Sequence, residues 1–406
     1  MAVTLPSLPN SQTESGESLS LVRTVSDALA HLRDWAGVSV DANTVRMGWR
    51  AVRESVEELA AIRQWSYYRR RLRFATVATY STGTVAYTHS TLTLTLTSGT
   101  WPDWAGRGTL IIDDVHYPVQ SRTSTTVLIL DPNHNPGANI AAGETYTLYR
   151  DSYTLPRDFE SLLTDVYEVE NREILTREPP ENFQSYTSLS MTPSDPIIFT
   201  IMRDRAYMGE DTVDAVMHDM AIYLRPPPST ARTYEGIYRS RPRDFTVPNG
   251  SYSTGTVTNS STTVTGTGTN WTQANMLGAV IRFGTATDAP GGREHTTKYV
   301  AQRYITAVSS ATSLTIDSEP GQTFTGVKYE ISDPLDIEPG AMYRALLRRA
   351  EYELAIQRHK DDPKAIEVAE GRWIRACREA MAADNRSTAT PSTVQWTTLG
   401  EITMSA

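Results

Sequence analysis

Between residues 18 and 74 apolar side chains recur three and four positions apart, the spacing that puts them on one face of an α-helix. Leu21, Val25, Ala28, Leu29 and Leu32 form a first stripe, with Ser18 and Ser20 as cap candidates and Gly37 placed to stop the helix. Val45, Trp49, Val52, Val56, Leu59 and Ile62 form a second, which Asp41 or Asn43 can cap. A helical hairpin is expected, its second arm ending in the basic run Arg69, Arg70, Arg71 and Arg73. At Phe74 the period changes to two. Residues 75–151 are rich in Thr, Val, Ile, Leu and Tyr, and Thr91 to Thr97 alternates between Thr and Leu, which describes half-buried antiparallel strands. Ser98-Gly99, Asp113-Asp114 and the Pro132 to Gly137 segment supply turns.

Residues 152–250 read as a looser connecting segment with several prolines, a strand at Pro196 to Met202 and a central helix over 211–224. Val213, Val216, Met217, Met220 and Leu224 would form that helix's stripe, and Pro226, Pro227 and Pro228 would end it. A second Thr- and Gly-rich β region covers 251–333. Residues 334–386 return to helical spacing, first through Tyr343, Leu346, Leu347, Ala350 and Leu354. Asp361, Asp362 and Pro363 then start a last helix with Ile366, Ala369, Trp373, Ala376 and Ala380 on its apolar side. Residues 1–17 and 387–406 read as a polar arm and a Thr- and Ser-rich tail without cores of their own.

The chain repeats itself. Tyr80-Ser-Thr-Gly-Thr-Val85 recurs as Tyr252-Ser-Thr-Gly-Thr-Val257, and Trp101, Gly106, Tyr117 and Tyr146 are answered in order by Trp271, Gly278, Tyr304 and Tyr329. Two homologous small antiparallel β-barrels or sandwiches are expected, with Tyr80, Trp101, Gly106, Tyr252, Trp271 and Gly278 as core positions. The expected fold class is α+β, a discontinuous helical bundle with two inserted β modules. Helices from the two ends of the chain meet in one bundle because a barrel's termini can lie close together.

Composition narrows the function. At 406 residues the chain should hold two or three regions. Its formal charge of −9 argues against nucleic-acid binding over the whole surface, and its single cysteine, Cys377, excludes an intramolecular disulfide. No apolar run approaches the roughly 18–20 residues that cross a bilayer, and Met1 to Pro9 has no secretory leader pattern. The seven histidines fall in no metal-ligand spacing. Asp131, Asn133 and Asn135 open like a calcium loop, but Pro136 and Ala142 break the pattern, so a polar turn is the better reading. No Ser stands in a nucleophile elbow, and the carboxylate pairs Asp113/Asp114, Asp361/Asp362 and Glu57/Glu58 are adjacent in sequence, which does not place two carboxyls across a glycosidic bond. No catalytic constellation, cofactor or metal is expected. Two basic clusters remain, Arg69 to Arg73 and Arg344, Arg348, Arg349 and Arg358, each either a solvated face or an interface with an acidic protein surface or passing DNA.

In this order of elements the chain resembles the bacteriophage head-to-tail adaptors, also called connectors or neck rings. The likeness rests on three features: the Tyr-Ser-Thr-Gly-Thr-Val openings with Tyr304 to Ser309; Tyr153, Leu155, Pro156, Asp158 and Phe159 after the first module; and the ending from Asp336 to Ala383, Asp384 and Arg386. The resemblance implies a virion protein of the neck, assembled in the host cytoplasm. It implies a homo-oligomeric ring, usually twelve-fold, that docks under the portal protein, carries tail or nozzle proteins and lets double-stranded DNA pass without specific binding. Arg69, Arg70, Arg71, Arg73, Arg344, Arg348, Arg349 and Trp396 are the candidate portal or protomer contacts, and loss of the tail is expected to weaken portal docking without unfolding the chain. The alternative is a host-surface or glycan-binding protein that stacks sugars on Trp101, Trp104 and Trp271.

Overall fold

The computed structural model describes residues 22–37, 42–185, 192–203, 220–290, 299–358 and 362–388. It is mixed α+β and divides into two compact units, Met1–Tyr67 with Pro242–Ala406, and Tyr68–Arg241. Six helices occur among the described residues: α1 (Val25–Ala36), α2 (Ala42–Ile62), α3 (Pro180–Ser185), α4 (Gln273–Met276), α5 (Ala341–Arg358) and α6 (Pro363–Thr388).

In the first unit, helices from both ends of the chain pack together: α1 on α2 and α5, α2 on α5, and α5 on α6. Their apolar stripes supply the buried side chains Leu29, Leu32, Val52, Val56, Leu59, Leu346, Ala350 and Leu354. The ends are set by local chemistry. Gly37 terminates α1 in the left-handed conformation, as its position suggested. Ser18 and Ser20 lie outside the described residues, and the α1 cap is Thr24, whose side chain and backbone exchange hydrogen bonds with Asp27 in a capping box. Asp362 accepts from the Lys364 and Ala365 amides at the start of α6, and Glu338 accepts from Gly340 and Met342 at the start of α5. Trp65 Nε1 donates to the Leu59 carbonyl at 2.7 Å and closes the α2 exit.

This unit also carries a curled antiparallel half-barrel. Its six strands are Thr256–Ser260, Thr263–Thr267, Val280–Phe283, Ala301–Ser310, Ser313–Ile316 and Tyr329–Ser332, paired in the spatial order first, second, fifth, fourth, third, sixth. The second unit contains the repeat. Thr84–Thr88, Thr93–Thr97, Thr109–Ile112, Val115–Arg122, Val127–Leu130 and Thr147–Tyr149 pair in the same order, and Ile140–Glu144 adds a seventh strand beside the first. In each, an isolated bridge ties a residue ahead of the first strand to the sixth strand, Tyr80↔Leu148 in one and Tyr252↔Ile331 in the other. The Thr-Leu alternation is resolved as the strand Thr93–Thr97, with Leu94 and Leu96 turned into the core. Gly83 and Gly255 are needed where they stand: both have positive φ, and a Cβ would fall 2.0 and 2.4 Å from the backbone carbonyl oxygens of Ser98 and Thr267.

Two readings are corrected. The basic run Arg69 to Arg73 belongs to the strand Arg69–Ala75, because Leu72 and Phe74 alternate with Arg71 and Arg73 at period two and face a core. The expected central helix is also replaced at its end: Met220–Arg225 is a strand, with Ile222 and Leu224 buried, while 211–219 lies outside the described residues. The segment read as a connector is therefore built largely of sheet. Arg69–Ala75, Thr233–Ser240 and Phe159–Leu162 form one sheet with Tyr167–Glu168 at its side. Thr176–Arg177, Ile198–Arg203, Met220–Arg225 and Ser152–Thr154 form another. Leu72, Tyr153, Phe159, Val166, Phe199, Ile222, Leu224, Tyr234 and Tyr238 from both sheets make a common core. The Tyr-x-Leu-Pro-x-Asp-Phe segment belongs here: Phe159 stacks on Tyr238, whose hydroxyl donates to Asp158 at 2.9 Å.

Candidate interaction surfaces

The repeat landmarks are structural. Trp101 and Trp271 are buried at the centres of the half-barrel cores, beside Tyr80 and Tyr146 in one and Tyr329 in the other. Matching bonds hold both clusters. Tyr146 and Tyr329 hydroxyls donate to the carbonyls of Thr82 and Thr254, at 2.7 and 2.6 Å. Tyr80 and Tyr252 hydroxyls accept from the Thr100 and Asn270 amides. Burial pushes the Tyr146 and Tyr329 hydroxyls upward, so they serve as neutral donors. Gly278, with positive φ, precedes the third strand as expected, but its partner is one residue out of register. Gly108 and Ala279 carbonyls both accept from the fourth strand, which makes Arg107 and not Gly106 the equivalent of Gly278. By the same pairing Tyr304 answers Pro118 and not Tyr117.

One polar cluster is fully internal to the first unit. Arg282, in the third strand of the half-barrel, extends Nη1 and Nη2 to the two Asp27 carboxylate oxygens at 3.1 and 2.8 Å, and both residues are 1% exposed. Its Nε donates to Gln302 at 3.2 Å and its guanidinium lies over the Tyr299 ring. Glu330, on the sixth strand, is 3.9 Å from Arg282 and accepts from the Ser26 hydroxyl at 2.7 Å. Burial raises the Glu330 pKa above the usual carboxylate range against the pull of Ser26 and Arg282. The Ser26 amide donates to Ser332 Oγ and the Val25 amide to the Asp333 carbonyl, so the start of α1 is fastened to the last strand of the half-barrel. The register places Ile111, His116 and Thr147 at the positions of Arg282, Gln302 and Glu330 in the other repeat. The ionic cluster thus occurs in one of the two repeats only. Asp333 is buried as well, accepting from the Thr246 and Val247 amides at 2.8 and 2.7 Å.

The candidate arginines separate by environment. Arg344 is exposed and Arg348 half-buried, the latter donating to Glu351 at 2.7 Å. Glu351 also meets His31 Nε2 at 2.8 Å. Burial acts upward on its carboxyl, but the His31 and Arg348 contacts outweigh it and hold the pKa below the usual range. Arg349 is buried, joins Glu58 and Glu353, and packs over the Tyr352 and Trp373 rings, which makes it an internal strut between α2, α5 and α6. Trp396 lies outside the described residues.

Arg69, Arg70, Arg71 and Arg73 are all exposed. Arg69, Arg71 and Arg73 point to one face of their sheet, opposite Arg239, Ile237 and Glu235 of the neighbouring strand. Glu235 accepts from Arg71 and from the Tyr167 hydroxyl and lies 3.3 Å from Arg73; the Arg71 hydrogen bond holds its carboxyl below the usual range.

Cys377 is buried on α6, and burial pushes its thiol up. Among the described residues no group of three or more His, Cys, Asp or Glu side chains could hold a metal ion, and no helix is long and apolar enough to cross a membrane. A shallow apolar groove between α1, α2 and α5 is lined by Leu29, Leu32, Val45, Gly48 and Leu354, with Arg33 and Arg358 at its rim. No family model matches the chain, and no curated protein matches it.

Proposed function

We propose that the chain is a subunit of a bacteriophage head-to-tail adaptor ring, docking beneath the portal, extending the DNA channel and offering a platform to the tail. One architectural observation carries the reading: helices from the two ends of the chain pack into one unit, and that unit holds one of two half-barrels built to the same strand order. Such a subunit suits a ring, because packed helices give a stiff wall while separate β modules leave several faces for neighbours above, below and beside it. Twelve copies at −9 each would bring about −108 formal charges, and a lumen lined with acids repels phosphates, so DNA slides without sticking. The glycan-binding alternative loses two of its three anchors, since Trp101 and Trp271 are buried core plugs; Trp104 is partly buried and packs against the same core as Trp101.

Purified chain should co-sediment with portal rings of the virus that encodes it and give no signal on a glycan array. Glycan binding without portal binding would replace this reading with that of an adhesin.

A further inference from the structure

The outward face of the Arg69–Ala75 and Thr233–Ser240 pair has an unusual makeup. Read across the strands, Arg73 faces Glu235 and then Tyr167, Arg71 faces Ile237, and Arg69 faces Arg239 and then Ser161. Four guanidinium groups are gathered here on a chain whose net charge is −9. Ile237, 41% exposed, sits in the middle, and Tyr167 is exposed beside it. Arg71 and Arg73 are 66% and 59% exposed despite their contacts with Glu235.

Two features go beyond a charged edge that merely discourages aggregation. Arg69 stands directly opposite Arg239, and like charges in a cross-strand pair destabilise a sheet. Arg239 has Glu160 at 3.2 Å, while Arg69 makes no ion pair among the described residues. An apolar side chain framed by arginines and a tyrosine also has the composition of an interface centre.

We infer that this face, centred on Ile237 and framed by Arg69, Arg71, Arg73 and Arg239, docks an acidic segment of a partner protein that carries an apolar anchor. Arginine's planar fork matches a carboxylate. The face already pairs with carboxylates, Glu235 with Arg71 and Arg73 and Glu160 with Arg239. Ile237, exposed in the middle of the face, suits an apolar side chain and offers nothing to a phosphate backbone; DNA is the poorer occupant. The inference goes beyond ring assembly, since the face binds whether or not the chain closes a ring.

The test uses the full chain and fluorescence anisotropy with three probes: a fluorescein-labelled Glu-Glu-Leu-Glu-Glu peptide, its lysine-for-glutamate counterpart, and a short DNA duplex. The acidic peptide should bind, and more weakly as salt rises. Arg69→Glu should weaken it roughly tenfold, because like charges across an interface are costly. Ile237→Ser should weaken it roughly fivefold by removing the anchor. Both positions are exposed, so both variants should stay folded, Ile237→Ser melting with the parent and Arg69→Glu no lower than it, since a carboxylate there faces Arg239. Absence of peptide binding, tighter binding of the duplex or the lysine peptide, or unchanged affinity in both folded variants would each overturn the inference.

Discussion

Replacing Arg282 by isoleucine puts into the second half-barrel the residue type that the first carries at the same register, Ile111. The shape suits a strand, but the charge balance does not. Asp27 is left 1% exposed without its guanidinium partner, and Glu330 loses its nearby cation. Glu330 is already biased toward its neutral form by burial, so the loss falls on Asp27. Removing one partner of a buried ion pair costs about 3–5 kcal/mol. Each 1.4 kcal/mol is a factor of ten, so the opening equilibrium at the start of α1 should rise by about two to three and a half orders of magnitude. Hydrogen exchange read by mass spectrometry on peptides covering Val25–Ala36 and Tyr329–Ser332 measures this directly, with Thr93–Thr97 of the other unit as internal control. Adding Asp27→Asn to Arg282→Ile should recover most of the protection, since the carboxylate that lost its cation is then uncharged. Exchange quickened by less than about tenfold, or quickened equally in Thr93–Thr97, would refute the reasoning.

Glu330 and Glu351 should respond to pH with opposite signs. The raised Glu330 pKa means that its contribution is complete below the ordinary glutamate range and is lost as pH rises through its folded value, so Glu330→Gln should flatten the decline on the alkaline side of denaturation midpoints. Glu351 is held low, so its contribution is present above the ordinary range and lost as pH falls through its folded value; Glu351→Gln should remove that acid-side loss. Gly255→Ala forces a Cβ against the Thr267 carbonyl at positive φ, and urea titration should show a loss of at least about 1–2 kcal/mol. Trp271→Ala should cost about 3–5 kcal/mol in the same titration, as a large buried ring and its hydrogen bond to Tyr329 disappear.

The half-barrels were legible because a curled β core needs few landmarks and needs them in order: the tight glycine turn, the Trp plug, the inward Tyr. The helical stripes at both ends were legible for the same reason, since each faces a core. The middle of the chain misled because short apolar patterns fit two periods. Met220 and Leu224 match a helix, yet Met220, Ile222 and Leu224 match a strand, and only the pairing with Ile198–Arg203 decides it. Arg69 to Arg73 lost its strand character behind four arginines, with Leu72 and Phe74 as the remaining sign. The Asp27, Arg282 and Glu330 cluster joins residues that distant positions contribute. Its one trace in the sequence is a charge inside Val280–Phe283, a strand whose four residues are all buried.

Native mass spectrometry of the purified chain, alone and mixed with portal rings, bears most directly on the adaptor reading. A single closed oligomer of defined copy number that adds to the portal ring as one unit is the predicted result. A chain that stays monomeric in both conditions and leaves the portal mass unchanged would contradict it.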